Sequence, residues 1–169
     1  MDKAATRKTS VTLTLRPGAA NTLNHPTIAA PLFPQGAAVF SHVFLGVSNF
    51  DRALDFYSAI MNSLGIEQRF CEPDRPWAGW HSAGATRPLF VIAAPHNGLA
   101  HAPGNGQMVA LLANTRAAVR QAHQAALRHG GSDEGAPGLR PQYHPHYYGA
   151  YFRDPEGNKL CVACHEAEN

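Results

Sequence analysis

A sequence of strand, helix and turn signals occurs twice in this chain of 169 residues, and any fold must accommodate both copies. The first begins with the apolar run Val43-Phe44-Leu45-Gly46-Val47, followed by Ser48 or Asn49 as a helix cap. Phe50, Ala53, Leu54, Tyr57, Met61 and Leu64 then recur at helical spacing, and Gly65 ends the helix. Ile66–Glu72, Ala78–Ser82 and Pro88–Ala94 read as strands. A loop over Pro95–Asn105 follows, punctuated by Asn97-Gly98, Pro103-Gly104 and Asn105-Gly106. Gln107–Ala113 is a second apolar strand, Asn114 or Thr115 a second cap, and a helix of Ala, Arg, Gln and His ends at Gly130-Gly131. The two copies align without gaps at an offset of 65, which sets His42 on Gln107, Asn49 on Asn114 and Gly65 on Gly130. Self-similarity of this kind predicts two like modules. Neither module can bury both its sheet face and its helix alone, so the two are expected to share a core.

The second copy closes distinctively. After a Gly/Pro-rich connection comes the polar loop Gly138–His146, rich in His and Tyr. Tyr147–Phe152 and Lys159–Cys164 are β-rich, and Asp154-Pro155-Glu156-Gly157-Asn158 between them is turn chemistry, so this unit reads as a hairpin. The acids of that turn read as structural. The prediction is an α+β fold of two βαβββ modules, about 41–95 and 106–165, in a domain covering 41–169. Residues 1–40 carry one acid, Asp2, and the prolines Pro17, Pro26, Pro31 and Pro34, which break any long helix; they read as a partly disordered arm.

Composition removes several function classes. A net charge of +2, with no basic run interleaved with aromatics, argues against nucleic acid. No apolar run approaches the ~20 residues of a membrane span. Three cysteines, Cys71, Cys161 and Cys164, with no secretory signal, suit a reducing, cytoplasmic compartment. Cys161 and Cys164 lie within one strand and point to opposite faces, which does not suit a redox pair.

The run Phe40-Ser41-His42-Val43-Phe44-Leu45-Gly46-Val47-Ser48-Asn49-Phe50-Asp51-Arg52-Ala53-Leu54-Asp55-Phe56-Tyr57 resembles the opening of the glyoxalase / bleomycin-resistance / extradiol-dioxygenase superfamily, also called vicinal oxygen chelate proteins. The closing Tyr151-Phe152-Arg153-Asp154-Pro155-Glu156-Gly157-Asn158-Lys159-Leu160 resembles it too. The resemblance covers about Ser41–His165 and implies curved mixed sheets around a cleft. It also implies a homodimer and, in metal-using members, a divalent ion (Zn, Ni, Fe or Mn) held by strand residues. The metal polarises neighbouring substrate oxygens in lyases, isomerases and dioxygenases, of which the glyoxalase I (lactoylglutathione lyase) reaction is one example.

On that pattern His42 takes the first ligand position, Gln107 the second and Cys161 the last, where a Glu is expected. Gln107 is a poor neutral ligand, and a buried cysteine is more often a small hydrophobe than a thiolate. Two readings follow. One is a lactoylglutathione-lyase-like protein whose degraded metal site leaves a cleft that binds a small molecule. The other is a metal-dependent enzyme with a non-standard site around His42. Further cleft candidates are Arg140, for an anionic substrate group or for loop carbonyls, and the patch of His144, His146 and Tyr148. Trp80, with Trp77 and Phe90, is expected to line an apolar pocket or to pack the core. His165 and His81 are weaker candidates, His101 reads as exposed in its loop, and His123 and His129 read as solvent-facing on the second helix.

Overall fold

The structure of the chain, a computed structural model, describes residues 40–82 and 84–168; the arm expected over residues 1–40 lies, but for Phe40, outside them. The elements run β1 (His42–Gly46), α1 (Phe50–Ser63), β2 (Ile66–Glu72), β3 (Trp77–Ser82), β4 (Leu89–Ala93), β5 (Val109–Leu112), α2 (Arg116–Arg128), β6 (Ser132–Leu139), β7 (Tyr148–Arg153) and β8 (Lys159–Cys164). They form two four-stranded sheets of the same order, β1-β4-β3-β2 and β5-β8-β7-β6. In each sheet the first strand pairs parallel with the last and the remaining neighbours are antiparallel. Each half is thus a βαβββ module, and the two sheets do not close on one another.

Local chemistry explains the elements. In α1, Ala53, Phe56, Tyr57, Ile60 and Met61 are buried at i, i+3, i+4, i+7 and i+8, one face of a helix. The Asn49 Oδ1 atom accepts from the Arg52 N–H and caps that helix, and Gly65, at φ 67°, ends it. Thr115, not Asn114, caps α2 through Oγ1 and the Ala118 N–H. The duplication is therefore offset by 66 residues at the caps (49 to 115) rather than 65. The strands agree: Gly46 pairs with Ala93 as Leu112 pairs with Ala163. Because α2 is one residue shorter than α1, the closing glycines Gly65 and Gly130 return to an offset of 65. Met108, not Gln107, thus stands where His42 stands in the first module.

The Gly/Pro-rich connection is a strand. β6, Ser-Asp-Glu-Gly-Ala-Pro-Gly-Leu, sits on the sheet edge, where Pro137 leaves no ladder donor missing, and its register shifts around Gly135.

One core serves both modules: Val47, Phe56, Tyr57, Ile60, Trp80 and Ile92 pack in the same cluster as Val119, Ala126, Phe152, Leu160 and Val162. The rings of Phe56 and Phe152 meet edge-on at 6.3 Å across the module boundary. The β7–β8 turn fastens the boundary. The Asp154 carboxylate, 3% exposed, accepts from Tyr57 Oη at 2.7 Å, from the Glu156 and Asn158 backbone N–H groups, and from Asn158 Nδ2. The Glu156 carboxylate accepts from the N–H groups of Asn49, the N-cap of α1, and of Ser48 just before it. Asn158 Nδ2 also donates to the Gly46 carbonyl. The reading of the turn acids as structural agrees with these bonds.

Candidate functional site

Strand alternation divides the side chains between the helix side and the open side of each sheet. Val43 and Leu45 pack on the core, so His42 and Phe44 face the other way. In the second module Leu160, Val162 and Phe152 join the core, so Lys159, Cys161, Tyr151 and Arg153 take the open face. Cys164 belongs to the core and Cys161 does not, so the two thiols do lie on opposite faces.

A cavity of about 620 Å³ lies on that open face, lined by Gln107, Met108, Tyr143, Tyr151, Arg153 and Lys159 and floored by the 103–106 loop. A lobe of about 250 Å³ adjoins it between β1 and β5, lined by Phe44, Leu45, Met108 and Val109. Gly104, Gln107, Met108 and Lys159 border both. Space of this size suits a small molecule.

The charges are concentrated at one end. Glu134 on β6 binds Arg153 Nε at 2.5 Å and Lys159 Nζ at 2.9 Å, and these two cations hold its carboxyl below the usual range. Arg153 also donates to the Gly157 carbonyl. Tyr151 is pushed up, first by burial, so its phenol stays protonated at neutral pH.

Of the residues expected at the cleft, Gln107 lines both lobes, while His42 is exposed on the β1 open face with its Nδ1 atom 3.3 Å from Ser41 Oγ. Trp80 is 1% exposed and packs against Tyr57 and Phe90 in the core, so it lines neither lobe; Phe90 is buried there too. Tyr148 turns to the helix side, beneath Arg116 and Arg120. Arg140 is committed to the carbonyls of Leu139 and Ala136 and lies over the Tyr151 ring. His144 stacks on His165, Nε2 to Nδ1 at 2.8 Å, and the His146 backbone N–H is donated to His144 Nδ1. Both rings meet Tyr147 edge-on.

Two other histidines are placed differently from expectation. His123 is 8% exposed, bonded to Asp133 at 2.8 Å and set against Phe152, because α2 turns that face onto β6 and β7. His101 is half-buried: its N–H reaches Ser48 Oγ, and its Nε2 atom is buried without a partner. Gly46 makes room for it, since a Cβ there would lie 2.9 Å from the imidazole.

The residues fit a metal ion poorly. Among the described residues no three His, Cys, Asp or Glu side chains come together. Burial pushes the Cys161 thiol up despite the neighbouring Tyr147, Tyr151 and Arg140, and Tyr147 Oη lies 3.6 Å from Sγ, so an ion bound there would have to displace both a proton and that contact. Met108 occupies the place equivalent to His42, and its thioether is a soft, neutral donor. Tyr151, Arg153, Lys159 and Glu134 escaped sequence reasoning, although period-2 alternation counted outward from the core residues Phe152 and Leu160 places the first three on the open face.

No helix among the described residues is long and apolar enough to cross a membrane. Comparison with curated proteins gives no match. Among solved structures, a glyoxalase/bleomycin resistance protein from Albidiferax ferrireducens T118 is 31% identical with a TM-score of 0.67, over 75% of this chain and 99% of that one. A glyoxalase/bleomycin resistance protein/dioxygenase family enzyme from Burkholderia phytofirmans PsJN is 18% identical at a TM-score of 0.56, over 75% and 98%. A glyoxalase I mutant from Zea mays is 22% identical at 0.54, over 73% of this chain and 46% of that one; these last two likenesses speak to fold alone. The family profile of the Glyoxalase/Bleomycin resistance protein/Dioxygenase superfamily matches residues 39–162, which span both modules. With its paired βαβββ modules and the sealed Asp-Pro-Glu-Gly-Asn turn, the chain belongs to that superfamily.

Proposed function

We propose that this protein binds a small molecule in the two-lobed cavity on its open sheet face, without a resident metal. The observation that carries the reading is the chemistry at the strand positions expected to hold an ion. Met108 stands opposite His42 in the duplicated register, and Cys161 is a buried thiol engaged by Tyr147. Met108 offers neither an anionic nor an imidazole donor beside His42, and Cys161 would have to give up its proton and its Tyr147 contact to offer one. The cavity beside them is of ligand size and offers phenol, amide and cationic groups around an apolar lobe.

A second copy of the chain would cover the apolar rim of this cavity. Phe44, Met108 and Leu112 are 48%, 45% and 66% exposed around β1 and β5, a run of apolar side chains that a homodimer would cover. Light scattering on the purified protein checks this: a monomer at micromolar concentration would remove it.

The test of the main reading is metal analysis by mass spectrometry on untagged wild type and His42→Ala, after incubation with Zn, Ni, Fe and Mn and exhaustive dialysis. Sub-stoichiometric metal in both, with small-molecule binding retained by His42→Ala, is the expected result. Stoichiometric metal in the wild type, lost from the variant, would overturn it in favour of a metal-dependent enzyme built around His42.

A further inference from the structure

Resting on that reading, we infer that the ligand is an amphipathic anion, an organic acid with an apolar body, and that Lys159 is the residue that recognises both ends of it. The cavity is chemically lopsided. Among the described residues Arg153 and Lys159 line it, and no Asp or Glu does. Glu134 binds both cations at once from the edge strand and stays ionised between them, so the group retains one positive charge in excess. Around it stand further donors, the amides of Asn105 and Gln107 and the phenols of Tyr143 and Tyr151. Burial keeps the Tyr151 phenol protonated, so it offers an anion a hydrogen bond rather than a repelling charge. A carboxylate, sulfonate or phosphate suits this end and a cation does not.

The smaller lobe supplies the apolar side chains. There Phe44 and Met108 stand beside Gln107 and Asn158, and among the described residues its one charged lining residue is again Lys159. Met108 belongs to both lobes, and a flexible thioether fills space around varied shapes. The lysine sits where the lobes meet, its four-carbon stem free to lie along apolar surface while the ammonium faces the polar end. Glu134 sets the strength of this site: it positions the two cations and competes with a ligand anion for them.

The experiment is isothermal titration of the full chain with a matched pair of probes, 2-naphthoate and 2-naphthamide, which share one body and differ in charge. The wild type is expected to bind the acid at least about tenfold more tightly than the amide, with the preference shrinking as salt is raised. Lys159→Gln should abolish most of the preference, weakening the acid about tenfold and the amide, which loses only the stem contact, by less. Glu134→Gln should widen the preference, because the competing carboxylate is gone; it also guards against a misfolded Lys159 variant, and circular dichroism on both checks folding. Met108→Asp should weaken both probes. Equal or tighter binding of the amide, or a preference unchanged in Lys159→Gln and Glu134→Gln, overturns the anion inference while leaving the cavity as a binding site. Binding of neither probe overturns the inference and the site reading together.

Discussion

The Tyr57–Asp154 bond supports a quantitative prediction. Tyr57 is fully buried, and its hydroxyl donates to Asp154 Oδ2 at 2.7 Å. Tyr57→Phe removes that charge-assisted bond, ordinarily about 1.5–3 kcal/mol. Oδ2 keeps the Asn158 Nδ2 donor and Oδ1 keeps two backbone donors, so no acceptor is stranded and the loss falls at the low end, about 1.5 kcal/mol. Asp154→Ala is different. It strands the Tyr57 hydroxyl and the buried Asn158 N–H, and partly the Glu156 N–H, while Asn158 Nδ2 retains only the Gly46 carbonyl. Unsatisfied buried donors cost about 1–3 kcal/mol each, giving about 3–5 kcal/mol in total. For a folded unit of roughly 130 residues these become falls in Tm of about 5–9 °C and 10–20 °C respectively. Urea unfolding and calorimetry of wild type, both single variants and the double variant measure them. The double variant should be little worse than Asp154→Ala, because the bond is shared. A Tyr57→Phe protein within about 0.3 kcal/mol of wild type, or an Asp154→Ala protein no worse than Tyr57→Phe, would refute the argument.

Other outcomes follow from the same geometry. Glu156→Gln weakens the grip on Ser48 N–H and Asn49 N–H; a loss of about 1–2 kcal/mol is expected, with faster hydrogen exchange confined to the first turn of α1. Burial at the site pushes Glu156 up, but those two N–H groups, with Arg52 and His101, outweigh it and hold the carboxyl below its usual range; its stabilisation is therefore present above the ordinary carboxylate pKa and lost as pH falls through the depressed one. Burial, and then Asp154, raise Tyr57 well above the ~10 of an unfolded tyrosine, so the folded state holds more protons above that pH; stability should fall there by up to about 1.4 kcal/mol per pH unit, less steeply in Tyr57→Phe. Gly131→Ala should cost about 2 kcal/mol or more by urea melts, since its Cβ would meet the Arg153 and Ala126 carbonyls and the Phe56 ring, all within 2.9 Å. Iodoacetamide at neutral pH should leave Cys161 unmodified in the native protein and label it once urea unfolds the chain, read by peptide mass spectrometry.

Much of the architecture was legible because its signals are local. The first helix, the strand Ile66–Glu72 and the terminal hairpin rest on periodicity and turn chemistry that short windows carry. β6 was not legible: Gly135, Pro137 and Gly138 are loop residues by composition, and only the edge position in a sheet lets them form a strand. The register of the duplication was misplaced by one because α2 lacks a residue that α1 has, so gapless alignment honoured the closing glycines at the expense of the caps. In a strand that single step reverses a side chain's face, and it put Gln107 where Met108 stands. His123 and Trp80 show another limit. Which side of a helix or strand is buried depends on partners distant in sequence, here Asp133 and Phe152 for one and Tyr57 and Phe90 for the other. The Glu134–Arg153–Lys159 group needed the β6–β7–β8 register before its members could be seen as neighbours.

The clamp of Glu156 on the start of α1 bears on how the chain is made. Its two bonds join residues 108 and 107 positions apart. A ribosome adding about 5–20 residues per second takes roughly 5–20 s to cover that distance. Throughout that interval the nascent first module holds a helix whose leading N–H groups lack their carboxylate and a Tyr57 hydroxyl lacking its acceptor. Native contacts this distant in sequence slow folding, and they leave the first module waiting for the β7–β8 turn. A transcript cut just before the turn would not yield a working half-protein; it would yield a partly exposed core of the kind that proteases and chaperones recognise.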